Sequence, residues 1–167
     1  MLSLLTLRYV IVFGLVGLLA WAVVCDFTTL RIPNRLPLAV ALLFAAHAAA
    51  NPGAVDWLGA LLVALAVFAV ATTLFHFQLM GGGDVKLMAA VALWAGPQEI
   101  FGFLVITSLA GGLLAVVAVT RLRFAVAGAI QAMGGRKTME GAFGGVVPYG
   151  IAISVGGFAI ATALLGS

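Results

Sequence analysis

Charge is what this chain has least of. Only 8% of its 167 residues are charged and 65% are hydrophobic, whereas soluble domains are about 25% charged and roughly 45–50% apolar. A single cysteine, Cys25, excludes an intrachain disulfide and a zinc site built on paired cysteines. The eight basic residues are scattered between apolar runs and form no continuous surface for nucleic acid. The composition therefore predicts a membrane protein whose partner is the lipid bilayer.

Apolar segments, separated by glycine, proline and charged residues, divide the chain into six candidate membrane helices. Because a spanning helix needs about 20 apolar residues, six such segments leave no room for a separate soluble domain. We therefore predict an all-α fold, a polytopic bundle of six transmembrane helices, in one membrane-embedded domain over residues 1–167. The six segments are 4–25, 36–50, 55–75, 85–95, 100–120 and 146–165.

Two of these segments, 36–50 and 85–95, are too short to cross a bilayer at about 1.5 Å per residue. We expect the first of them to extend past Asn51 or to include Pro37. Before the second, we expect the glycines Gly81-Gly82-Gly83 to enter the membrane, since irregular backbone is tolerated there when it is buried in protein. Asp84 would then lie below the membrane surface.

The basic residues favour one side of this predicted bundle, which by the positive-inside tendency is the cytoplasm. Both termini are then outside, and Asp26 and Asp84 share the cytoplasmic end; Arg8 is the exception. The longest loop, 121–140, is either an amphipathic helix on the lipid surface or a plain connector. The basic residues on the cytoplasmic side are Arg31, Arg35, Lys86, Arg121, Arg123, Arg136 and Lys137.

The chain has only five acidic residues, and two of them adjoin membrane segments. Asp56, Glu99 and Glu140 fit ordinary solvated loops. Asp26 ends the first apolar segment and Asp84 opens the fourth, and an ionisable residue at such a position is a functional candidate.

Each of these two aspartates also has a structural interpretation. Asp26 fits a helix-end carboxylate paired with Arg31, and Asp84 fits a helix N-cap. The glycines before Asp84 are harder to explain as a cap, because they sacrifice packing surface. Their physical use is to let another backbone approach, such as an extended peptide substrate.

Two carboxylates at one membrane face can activate water for peptide hydrolysis. One takes a proton from water, while the other, protonated, polarises the peptide carbonyl. No serine or cysteine nucleophile and no cofactor is required, so Cys25 is interpreted as a small apolar neighbour. His47 and His76 are each interpreted as packing residues, although His76 lies near Gly81 in sequence.

Three motifs resemble those of the type IV prepilin peptidases, which are membrane aspartyl proteases with a Gly-x-Gly-Asp motif. The first is Gly81-Gly82-Gly83-Asp84-Val85-Lys86-Leu87, and the second is Asp26 followed by Ile32-Pro33-Asn34. The third is Val147-Pro148-Tyr149-Gly150. The resemblance extends over nearly the whole chain and implies the six-helix fold of this family, with Asp26 and Asp84 as the catalytic pair. It also assigns motif or substrate-approach positions to Gly81, Gly82, Gly83, Lys86, Pro33, Asn34 and Pro148.

The chain resembles most the short, stand-alone peptidases of tight-adherence (Flp-type) pilus systems. Longer members carry an N-terminal region with paired CxxC motifs and methyltransferase activity, which this sequence does not contain. The implied substrate is a prepilin or pseudopilin with a basic leader and an apolar helix, cut at the cytoplasmic face of the inner membrane. Archaeal preflagellin peptidases share the core and are a neighbouring possibility.

A rival interpretation is a small proton-coupled transporter or pilus-assembly scaffold that uses the two aspartates without proteolysis. The sequence leaves open which prepilin is cut, which aspartate is the general base, whether the pair is assembled without substrate, and the oligomeric state.

Overall fold

The computed structural model describes residues 2–51, 53–120 and 149–166, and within these ranges every regular element is an α-helix. The all-α prediction is confirmed for this part of the chain. The loop 121–140, with Glu140, and the motif residues Val147 and Pro148 lie outside the described residues. The helices are α1 (Leu2–Thr29), α2 (Arg35–Ala50), α3 (Trp57–His76), α4 (Gly82–Val119) and α5 (Tyr149–Gly166).

Four of these helices, α1, α3, α4 and α5, are long and apolar enough to cross a membrane. The shorter α2 has 16 residues and reaches about 24 Å at the usual helical rise. It includes Pro37 but does not extend past Asn51, whose backbone N–H and side-chain amide turn back to Ala48 and His47. The chain is thus a helical membrane protein, while the count of six crossings is not confirmed.

The end of α1 lies beyond the first apolar segment. The helix continues to Thr29 and stops at Leu30, whose φ of 50° is left-handed and therefore ends an α-helix. The Leu30 N–H donates to the carbonyl of Asp26 at 3.0 Å. A short link, residues 30–34, then leads to α2, and Asp26 consequently sits inside the last turn of α1.

Helix α4 is interrupted at Gly96, where φ is 55° and ψ is −169°. A side chain would be strained there, which explains the glycine. A Cβ added to Gly157 of α5 would lie 3.2 Å from Val91, and one added to the adjacent Gly156 would lie 2.9 Å from Phe103. Since Val91 precedes the break and Phe103 follows it, both halves of α4 reach the same turn of α5. The helix therefore folds back at Gly96.

The core of the bundle surrounds α5, which packs against α1 and both halves of α4. Leu15 and Leu19 of α1, Val91 and Phe103 of α4, and Ile153 of α5 are fully buried. Helix α3 packs mainly on α4 and exposes much of its apolar surface, as expected for a helix at the edge of a membrane bundle. This arrangement brings the end of α1 to the beginnings of α4 and α5.

Candidate functional site

Asp26 is buried at one end of the bundle, with 4% of its surface exposed. Its Oδ2 accepts a hydrogen bond of 3.2 Å from the backbone N–H of Ile151, and the backbone of Gly150 also donates to the carboxylate. Both donors belong to the first turn of α5, where backbone N–H groups have no partner within the helix. The positive end of α5 thus holds the Asp26 carboxylate, rather than the exposed Arg31 that the sequence offered as a partner.

Gly150 is what allows α5 to come so close to Asp26. A Cβ at this position would lie 2.8 Å from Asp26 Oδ2 and 2.7 Å from the Cδ1 of Ile32. Real Cβ atoms essentially never make such short contacts, so any side chain at position 150 must displace the carboxylate or Ile32.

Asp84 directly follows the three glycines in sequence, is the third residue of α4 and is partly buried. Only Gly81 is extended, with φ −73° and ψ 144°, whereas the helix begins at Gly82. The expectation of an irregular segment through all three glycines is therefore wrong for Gly82 and Gly83. The Asp84 carboxylate turns back to the backbone N–H of Gly81, as acidic residues at this helix position commonly do.

Gly83 faces the backbone of the link between α1 and α2. A Cβ on Gly83 would lie 3.1 Å from the Cβ of Ile32 and 3.2 Å from its carbonyl oxygen. The close approach that the sequence assigned to a substrate peptide is, at Gly83, made by the chain's own backbone. This contact sets the distance between the start of α4 and the link.

Lys86 and Asn34 form a second connection between α4 and this link. The Nζ of Lys86 donates a 2.8 Å hydrogen bond to Oδ1 of Asn34, and both side chains are exposed. Pro33 lies in the same link, and its carbonyl accepts the N–H of Leu36 at 2.9 Å. Lys86 thus contacts a motif residue rather than either aspartate.

Asp26 and Asp84 lie close enough to interact electrostatically. Ile32, 8% exposed, packs against the glycines beside both of them, Gly83 and Gly150. The structure therefore brings together the two aspartates that the sequence singled out, and adds Ile32, Gly150 and the amide of Ile151. Adjacent carboxylates resist double ionisation, so such a pair can share one proton and orient a water molecule.

The two histidines and Asp56 make contacts of their own. His47 is buried at the opposite end of the bundle, where its ring stacks on Trp94 at 5.3 Å, which agrees with the packing interpretation. His76 is exposed and its ring contacts Phe77. Exposed Asp56 caps α3 by accepting the N–H of Gly59 at 2.9 Å.

Gly150 and Ile151 were not among the predicted site residues. A signal for Gly150 existed, because it closes the Val147-Pro148-Tyr149-Gly150 motif. No sequence signal existed for Ile151, because it contributes only its backbone N–H, and that group is the same whatever side chain the residue carries. Within the described ranges, no group of three or more histidine, cysteine or acidic side chains could hold a metal ion.

The described helices thus define the class of a helical membrane protein, with two acidic side chains near each other at one end of the bundle. Residues 13–116 match the family model described as the type IV leader peptidase family. Because this match covers more than half of the chain, the chain belongs to that family. Membership indicates a peptidase of the prepilin type. No curated protein and no solved structure matches the chain significantly.

Proposed function

We propose that the chain is a membrane aspartyl endopeptidase that removes the basic leader from a type IV, Flp-like prepilin or pseudopilin. The observation that carries this proposal is the meeting of Asp26 and Asp84, which lie 58 positions apart in the sequence, at one end of a bundle of the leader peptidase family. Acidic residues are energetically costly in membrane helices, so an acidic residue found there indicates a functional site.

The proposed reaction is direct hydrolysis. A water molecule held between the carboxylates loses a proton to the ionised one and attacks the carbonyl carbon of the scissile peptide. The protonated carboxylate donates to the carbonyl oxygen, and a proton then passes to the leaving amine as the C–N bond breaks. The buried position of Asp26 supports this chemistry, since hydrogen bonds and charges act more strongly where water is scarce.

The same proposal includes six membrane crossings and an inner-membrane location with the aspartates toward the cytoplasm. The reversal of α4 at Gly96 supports the count, because it makes two helical segments from one element. The basic residues near the aspartate end, Arg31, Arg35 and Lys86, support the orientation. A prepilin whose leader stays in the cytoplasm would present its cleavage site at this depth.

The test is co-expression of a candidate prepilin with wild type, Asp26→Asn and Asp84→Asn. Asparagine keeps the shape of aspartate but removes its acid–base function, so we expect each variant to lose about a hundredfold or more in processing rate. Asp56→Asn is the matched control, because asparagine caps a helix as well as aspartate does. Membrane accumulation of every variant is measured by immunoblot.

Processing at the wild-type rate by either Asp26→Asn or Asp84→Asn would refute the two-aspartate mechanism. A transporter would instead show altered proton flux in these variants with prepilin processing unchanged.

A further inference from the structure

An apolar groove of about 850 Å³ lies between α3 and the second half of α4, residues 97–119. Val63, Val70 and Leu74 line its α3 wall, and Leu104 and Ala115 line its α4 wall. We call it the α3–α4 groove. Both helices are long and apolar enough to span a membrane, so a groove between them lies within the membrane-spanning part of the bundle.

One end of the α3–α4 groove adjoins the aspartates. Met80 and Tyr149 line this end, and each directly precedes a glycine that contacts one of the two carboxylates. Gly81 follows Met80 and lies against Asp84, while Gly150 follows Tyr149 and lies against Asp26. A molecule lying in the groove would therefore have one end beside the carboxylate pair.

The later part of the α4 wall, beyond Leu104, is made of small side chains. Ser108, Gly111, Gly112 and Ala115 recur at helical spacing along it, and a Cβ added at Gly112 would meet no atom within 4 Å. Small residues on a membrane helix let a second helix backbone come close. The wall extends from Ile100 to Ala115, about 22 Å of helix rise, which accommodates about four turns of another helix.

We propose that the α3–α4 groove binds the apolar membrane helix of the substrate and delivers the residues at its N-terminal end to Asp26 and Asp84. This inference rests on the proposed function, in which the cut bond directly precedes an apolar helix. A helix fits better than a lipid chain because the groove has small residues along about two turns of α4 and has one end beside the carboxylate pair. Substrates lacking that helix would lose this binding contribution.

The chain offers a matched pair of variants to test the groove. Gly112→Leu fills it, whereas Gly17→Leu adds the same side chain to α1 outside it; both glycines are exposed and neither has an atom within 4 Å of an added Cβ. Each variant, with wild type, is assayed in lipid nanodiscs on two substrates. One is a full-length prepilin, and the other is a short peptide that spans the leader junction without the apolar helix.

We expect Gly112→Leu to lower kcat/KM for the full-length prepilin about tenfold or more, mainly through KM, because a binding contribution common to ground and transition states is lost. Cleavage of the short peptide should not change, and Gly17→Leu should match wild type on both substrates. Wild-type rates of Gly112→Leu on the full-length prepilin would overturn the proposal. So would an equal loss with Gly17→Leu, or an equal loss on both substrates.

Disulfide crosslinking measures whether the prepilin helix occupies the α3–α4 groove, and it does not require cleavage. Ser108→Cys in an inactive Asp84→Asn, Cys25→Ala background should form a disulfide with a cysteine placed in the prepilin helix, whereas Gly17→Cys should not. Excess cysteine-free prepilin should reduce this product. A product between two copies of the peptidase, or no substrate product, would overturn the groove proposal. If wild type cuts neither substrate while crosslinking succeeds, the proposed function fails and the groove remains a helix-binding site.

Discussion

The two ends of the bundle differ in the kinds of contact that hold their helices together. At the aspartate end, helices meet where side chains are absent, at Gly83 and Gly150, and backbone N–H groups hold the Asp26 carboxylate. At the other end, side chains make several of the connections, although Gly59 of α3 also lies close to Pro97 of α4. Arg8 of α1 donates to the carbonyl of Leu164 near the end of α5, about 27 Å along the bundle from Asp26 by helix rise.

An aromatic cluster completes this second end. The indole Nε1 of Trp94 donates to the carbonyl of Val40 at 3.1 Å, which joins α4 to α2. The ring of His47 stacks on Trp94, and Phe44 meets its edge at 5.7 Å. A buried side chain can be replaced by a smaller one at the cost of a cavity, whereas a larger residue in place of a closely packed glycine must displace its neighbours. Changes at the aspartate end should therefore affect cleavage, and changes at the aromatic end should affect stability.

Among the substitutions that test this comparison, Gly150→Ala should cause the largest loss of prepilin cleavage. Its new methyl would lie within 2.8 Å of the Asp26 carboxylate, and a misplacement of about 1 Å in an active site can cost about a hundredfold in rate. We expect a loss of that size in prepilin cleavage. Gly166→Ala, in the same helix with no atom within 4 Å of its Cβ, is the control. Equal cleavage by the two variants would contradict the role given to Gly150.

Gly83→Ala should have a smaller effect. Its nearest contacts, with Ile32, would be 3.1–3.4 Å, so the link between α1 and α2 must shift by only a few tenths of an ångström. We expect about a tenfold loss of cleavage, since this link borders the carboxylate pair. The control is Gly17→Ala in α1, where the added Cβ meets no atom within 4 Å, and it should cleave at the wild-type rate. If Gly83→Ala does the same, the link does not control the site.

Trp94→Phe tests the aromatic end. The change keeps a ring but removes the hydrogen bond to Val40 and weakens stacking on His47, which together should lower the free energy of unfolding by about 1–2 kcal/mol. Thermal unfolding in detergent measures this loss. Prepilin cleavage well below the unfolding temperature should stay at the wild-type rate. A loss of cleavage without a loss of stability would contradict the expectation that changes at the aromatic end affect stability.

The smallest effect is expected at the exposed hydrogen bond between Lys86 and Asn34. Asn34→Ala and Lys86→Met should each cost less than about 1 kcal/mol and reduce cleavage only a few-fold. The double variant tests whether the two residues act together: their coupling should be about 0.5 kcal/mol. Fully additive effects on unfolding would show that this bond does not tie the link to α4.

Local sequence chemistry predicted much of this structure. The apolar segments anticipated the helices to within a few residues, and carboxylates at membrane ends identified Asp26 and Asp84. The sequence also separated the segments 85–95 and 100–120, between which the structure has the reversal at Gly96. These features depend on residues close together in the chain, where composition and spacing carry information.

Contacts between distant segments were not predictable in the same way. Nothing in the sequence near Asp26 indicates that the amide of Ile151, 125 positions away, holds its carboxylate. The glycines before Asp84 suggested a close backbone approach, but the approaching backbone at Gly83 is Ile32 rather than a substrate. A glycine signals that space is needed and does not say which group will occupy it.

The fold-back of α4 at Gly96 makes one continuous element serve two tasks. Asp84 lies on the half before the turn, and the small-residue wall of the α3–α4 groove lies on the half after it. Because both halves belong to one element, a helix bound in the α3–α4 groove would lie at a fixed distance from Asp84. The point at which a full-length prepilin is cut would then depend on where its apolar helix ends, and a membrane helix that ends elsewhere would not bring a peptide bond to the acids.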